Sequence, residues 1–129
     1  MFKSGIIFCF LLISLSSFIS RDVYKKEFNR SDFYAALSSD KLNEINTQLN
    51  ILKESNLEEK EAYEGTLLMK KSGLVANAKE KLSLFKAGRI KLESSISKDT
   101  KNAEYRFLRI IIQEHAPKIV KYRNELEAD

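Results

Sequence analysis

Residues 77–98 read NAKEKLSLFKAGRIKLESSISK, and this stretch decides the fold. Ala78, Leu82, Phe85, Leu92 and Ile96 fall at i, i+4, i+7, i+14 and i+18, which is one face of an α-helix. Asn77 supplies the side-chain oxygen that a helix start needs for its unpaired backbone N–H groups. Gly88 lies on the same stripe. A glycine inside a helix costs up to about 1 kcal/mol relative to alanine, so it predicts close approach by another helix or a local bend.

The same periodicity extends in both directions. Upstream, Ser31 is expected to cap a short helix holding Phe33, Tyr34 and Leu37, and Ser39-Asp40 a second helix with Leu42, Ile45, Leu49 and Leu52. Asn56 with Glu59 resembles a capping box, with Glu58, Glu59 and Glu61 in the first turn of a third helix, Lys70-Lys71 in its last and Gly73 at its end. Downstream, Asp99 or Thr100 is expected to cap a fifth helix in which Ala103, Phe107, Leu108, Ile111 and Ile112 are spaced for burial. Pro117 then opens a sixth, with Ile119, Val120, Tyr122 and Leu126. The short connections predict successive antiparallel helices.

Composition supports this reading. The 129 residues hold only four glycines and one proline, too few for the frequent turns of a sandwich or barrel, and they are 43% hydrophobic, too apolar for a disordered tail. One domain fits, and a multidomain enzyme does not. The formal net charge of +4 is spread over both signs, with its mild excess in the last third. That argues against a nucleic-acid binder, which shows a denser basic face.

Residues 1–20 differ in kind from the rest. Met1-Phe2-Lys3 gives a basic start, Ile6 to Leu15 is almost wholly apolar, and serines follow, the layout of a secretory signal peptide. The uncharged run is shorter than a spanning helix wants, so cleavage is expected. Small residues at Ser14 and Ser16 place the cut after residue 16, with a cut after Ser20 the later alternative. The expected organisation is therefore a signal peptide at 1–16, a leader at 21–30 and one all-helical domain over 31–129, exported to the periplasm or secreted. Cys9, the one cysteine, leaves with the signal, so the mature chain has no disulfide. It follows too few apolar residues for a lipidation site.

Gly88-x3-Leu92-x2-Ser95 followed by Ile96-Ser97-Lys98-Asp99-Thr100-Lys101-Asn102-Ala103-Glu104-Tyr105 resembles the end of one tetratricopeptide repeat (TPR) and the start of the next, with Thr100 standing where that repeat usually has proline. Gly73 resembles the glycine between a repeat's two helices. Residues 62–73, AYEGTLLMKKSG, together with Tyr105-Arg106-Phe107-Leu108-Arg109 and residues 113–119, QEHAPKI, also look like a family of small exported bacterial helical proteins without an assigned activity. The resemblance implies antiparallel hairpins stacked as a small TPR-like bundle or solenoid of five or six helices. It further implies a concave surface that binds a peptide or protein.

The chemical candidates are few. His115 is the only histidine, and with no cysteine beyond Cys9 it cannot complete a zinc site. It reads as a helix-terminal histidine near the last carbonyls. No Gly-rich phosphate loop and no nucleophile elbow is present, and Glu58, Glu59, Glu61 and Glu64 read as a solvated helix start. Tyr63, Met69 and Phe85 read as core. Tyr105, Arg106, Arg109 and Gln113 make the one polar set that could hold a partner, because the two arginines and Gln113 fall at i, i+3 and i+7, and guanidinium forks suit peptide carboxylates. A solvated face with ion pairs to Glu93 or Glu104 is the competing reading. The expectation is a non-enzymatic exported module without cofactor or metal, working through a protein or peptide partner. The alternatives are an accessory subunit or hydrolase of the cell envelope, or a membrane-tethered module if the signal is retained.

Overall fold

The computed structural model describes residues 25–116 and Tyr122. Among them five helices and no strand are formed: α1 (Arg30–Ser38), α2 (Leu42–Lys53), α3 (Lys60–Ser72), α4 (Ala78–Lys98) and α5 (Ala103–His115). The chain is an all-helical bundle, as expected. The signal sequence expected at residues 1–16, the start of the leader and, apart from Tyr122, the helix expected after Pro117 lie outside the described residues.

Asparagine does the capping. The Oδ1 atoms of Asn29, Asn77 and Asn102 accept from the backbone N–H groups of Asp32, Glu80 and Tyr105, at 3.1, 2.9 and 3.1 Å. The Asn77 cap is the expected one, whereas Ser31 yields to Asn29, and Asp99 and Thr100 yield to Asn102. Asp99 is committed elsewhere: its N–H closes α4 on the Ser95 carbonyl at 3.1 Å. Ser39 and Asp40 do not cap α2, because the Ser39 hydroxyl donates back to the Ala36 carbonyl at 2.9 Å and Asp40 adopts the left-handed conformation (φ 54°). Short polar side chains tolerate that conformation best after glycine. The expected box at Asn56 also fails. α3 starts at Lys60 behind Glu59, whose carboxylate pairs with Arg30 at 3.5 Å and caps nothing. Gly73 ends α3 where expected.

α3 lies at the centre and packs on α2, α4 and α5. Tyr63, Thr66 and Leu67 are wholly buried, and the Thr66 hydroxyl satisfies itself on the Ala62 carbonyl at 2.8 Å. α3 and α4 run antiparallel, since Glu61 pairs with Lys98 and Glu64 with Lys91 at 3.4 and 3.0 Å. At their crossing the glycines meet: a Cβ added to Gly88 would fall 2.5 Å from the Gly65 carbonyl, and one added to Gly65 would fall 2.6 Å from the Gly88 carbonyl. Gly88 marks a close approach, one of its two expected meanings. Gly65 is its partner.

The register of that crossing runs out at Ser72, so the first turns of α4 extend past the end of α3. This corrects the sequence stripe. Phe85, Leu92 and Ile96 are buried, but Ala78 is exposed and Leu82 is 65% exposed, because no α3 residue stands opposite them. In α5 the buried face is Tyr105, Leu108, Arg109, Ile112 and Gln113. Phe107, expected in the core, lies about 100° round the helix and is 52% exposed, its ring 6.2 Å from that of Tyr34. Ile111 is only partly buried and Ala103 is exposed. Tyr63 and Met69 are core, as expected, and Tyr63 sits in an aromatic cluster with Phe28 and Phe33, each at 4.8 Å between centroids.

Candidate functional site

The polar set singled out in the sequence disperses. The Arg109 side chain is 10% exposed and its Nη1 donates to Glu93 Oε2 across the seam between α4 and α5 at 3.0 Å. One turn on, Gln113 is fully buried on the same face. Tyr105 is buried too, on the core side of α5. Arg106 alone keeps substantial exposure, and its Nη2 donates to the Thr100 carbonyl at 2.7 Å, bracing the loop before α5. Arg109 and Gln113 are thus turned inward while Arg106 is not, and the expected ion pair to Glu93 forms across the half-buried α4–α5 seam. Tyr122 completes that seam. Its hydroxyl donates to Glu93 Oε1 at 2.7 Å, its ring meets Phe85 edge-on at 5.7 Å, and the Arg89 guanidinium lies 4.7 Å over it. Burial, reinforced by Glu93, pushes the Tyr122 hydroxyl far above the usual tyrosine range.

A second polar knot ties α1 to α3 and α5. Glu104 Oε1 accepts from the hydroxyls of Tyr34 and Tyr63 at 3.1 and 3.0 Å, and Arg30 Nε donates to the Tyr63 hydroxyl at 2.9 Å. Burial pushes Tyr34 well above its ordinary value and Tyr63 up to about 12, with Glu104 acting the same way and Arg30 opposing it. Both phenols are thereby held as neutral donors. The acidic residues of the α3 start are likewise engaged, Glu59 by Arg30, Glu61 by Lys98 and Glu64 by Lys91.

Among the described residues a groove of about 580 Å³ lies beneath the overhang of α4. Met69, Phe85 and Ile112 make its recessed floor, and Leu74, Leu82 and Ala116 its apolar sides. Lys70, Lys81, Asp40 and His115 stand around it. Lys70 Nζ bonds Asp40 Oδ1, which holds the Asp40 carboxyl below the usual carboxylate range. His115 Nδ1–H donates to the Ile111 carbonyl at 2.9 Å, the helix-terminal role expected of it. Among the described residues no group of three or more His, Cys, Asp or Glu could hold a metal ion, and no helix is long and apolar enough to cross a membrane. The groove residues can hold an apolar guest and place charge at its edge.

Sequence reasoning missed this groove because Leu82 obeys the helical period of the core. The available signal was the density of lysines around it, at Lys79, Lys81 and Lys86, which is unusual beside a core position. No protein-family model, curated protein or solved structure matches the chain.

Proposed function

We propose that this protein is an exported, non-enzymatic interaction module of TPR-like build, which holds an apolar segment of a protein or peptide partner in the groove between α3, α4 and α5. The observation that carries the reading is the groove itself. A recessed apolar floor flanked by a Leu82 side chain that is 65% exposed leaves unburied the kind of surface that association covers. Export is supported by the basic, apolar and serine-rich order of residues 1–20. The antiparallel pairing of α3 with α4 and the glycine contact between them support the TPR-like comparison.

The test is site-directed photo-cross-linking in the exporting cell, with a photoreactive side chain in place of Leu82 and, as control, in place of exposed Thr47 on α2. A protein adduct formed from position 82 and not from 47 is expected. Equal adduct yields from the two positions would remove the groove from consideration.

A further inference from the structure

We infer that the groove selects an acidic segment, one in which leucine- or phenylalanine-type side chains fill the floor and carboxylates meet the lysines at the rim. This rests on the reading of the chain as a peptide-binding module and names the chemistry of the peptide. Lys81 lines the groove and makes no ion pair among the described residues, nor do Lys71 at the end of α3 or Lys79 and Lys86 on α4. Lys79 and Lys86 stand one turn either side of Leu82 on the outward face of α4, so the protruding leucine is framed by cations. Among the described residues the acids at this end are Asp40, engaged by Lys70, Glu114, which also has a partner, and the exposed Glu80. At the other end of the bundle Glu54, Glu59 and Glu61 each have a basic partner, Lys25, Arg30 and Lys98. Among the described residues Lys71, Lys79, Lys81 and Lys86 thus outnumber Glu80 and Glu114 on the groove's side of the bundle.

The shape decides between a peptide and an anionic membrane. Met69, Phe85 and Ile112 are 3, 7 and 6% exposed, a floor that a flat lipid surface cannot reach, whereas side chains projecting from a peptide can. Carboxylates on such a peptide gain from Lys81 at the rim and from Lys79 and Lys86 beside Leu82, each weak alone and effective together in setting partner choice.

Fluorescence anisotropy on the full chain, with its signal removed by the cell, tests this with three labelled decapeptide pools. Each position is drawn from Leu, Phe and Glu in the first, Leu, Phe and Gln in the second, and Leu, Phe and Lys in the third. The glutamate pool should bind roughly tenfold more tightly than the glutamine pool and lose that margin in high salt, and the lysine pool should bind least. Lys81→Glu should weaken glutamate-pool binding by about tenfold, since an attraction becomes a repulsion. Asp40→Asn keeps a side chain that tolerates the left-handed backbone and releases Lys70, so it should tighten binding a few-fold. Circular dichroism confirms that both variants fold. Equal binding of glutamate and glutamine pools, abolished by Leu82→Asp, overturns the acidic preference and leaves the groove reading intact. Binding of no pool overturns both. Lys81-dependent sedimentation with phosphatidylglycerol vesicles, without peptide binding, overturns the inference in favour of a membrane.

Discussion

Gly88→Ala sets two effects of similar size against each other. Replacing an interior helical glycine by alanine ordinarily stabilises by about 1 kcal/mol. Here the new Cβ falls 2.5 Å from the Gly65 carbonyl oxygen and 2.9 Å from the Met69 nitrogen, both backbone atoms that no rotamer change can move. Relief requires α3 and α4 to separate by about 0.5 to 1 Å to restore ordinary van der Waals distances. That loosens the contacts on which the central helix depends. Overpacking of this kind costs about 1 to 3 kcal/mol, and a backbone obstacle puts it at the upper end. The net is a destabilisation of about 2 kcal/mol, or a urea midpoint lowered by about 1 M, read by far-ultraviolet circular dichroism. Gly65→Ala should behave alike, and the double variant should cost less than the two together, because helices already pushed apart by one Cβ accept the second. Gly73→Ala is the control: its Cβ meets nothing nearer than 3.4 Å, so a change within about 0.5 kcal/mol is expected. A Gly88→Ala midpoint that rises would refute the crossing argument.

Leu108→Ala should cost about 2 to 5 kcal/mol as a buried truncation, whereas Phe107→Ala, at a half-exposed ring, should cost under about 1, and thermal melts that rank them the other way would contradict the described face of α5. Glu93→Ala should cost roughly 2 to 3 kcal/mol because it removes the carboxylate that Arg109 and Tyr122 share, and a loss under about 0.5 in chemical unfolding would show that seam to be idle. Tyr63 titrates at about 12 in the fold and near 10 when unfolded, so its contribution is complete below pH 10 and is lost as pH rises toward 12. Phenolate absorbance should therefore appear together with alkaline unfolding; a Tyr63 ionising near 10 in the folded chain would contradict the burial argument. A chelator should leave the melting temperature unchanged, and a drop of several degrees would reveal a structural metal.

The bundle was legible because helical period and polar punctuation agree along most of the chain. Ile45, Leu52, Phe85, Leu92, Leu108 and Ile112 were all placed in the core from spacing alone, and all are buried there. What spacing cannot register is where a neighbouring helix stops. Leu82 has the period of the core and lacks a partner because α3 ends at Ser72, a fact about another segment. Most of the polar set on α5 is buried for the converse reason. Arg109 looks solvated by composition, yet Glu93, which Tyr122 also holds, pairs with it across the α4–α5 seam, and the angle between Phe107 and Leu108 decides which way the helix turns. The capping errors were local competition, with Asn29 and Asn102 each standing a few residues from a weaker candidate.

With glycine on both sides of the crossing, α3 and α4 approach main chain to main chain at Gly65 and Gly88, and the Met69 side chain packs beside that contact. The spacing of the two helices beside the groove is for that reason set by the backbone contact at the glycines. Met69 belongs both to the crossing, where it touches Gly88, and to the groove floor, so any wedge driven into the one is transmitted to the other. An engineer wishing to admit a bulkier guest should therefore leave the glycines untouched and carve the walls, at Leu74 or Leu82, where volume can be removed without opening the core.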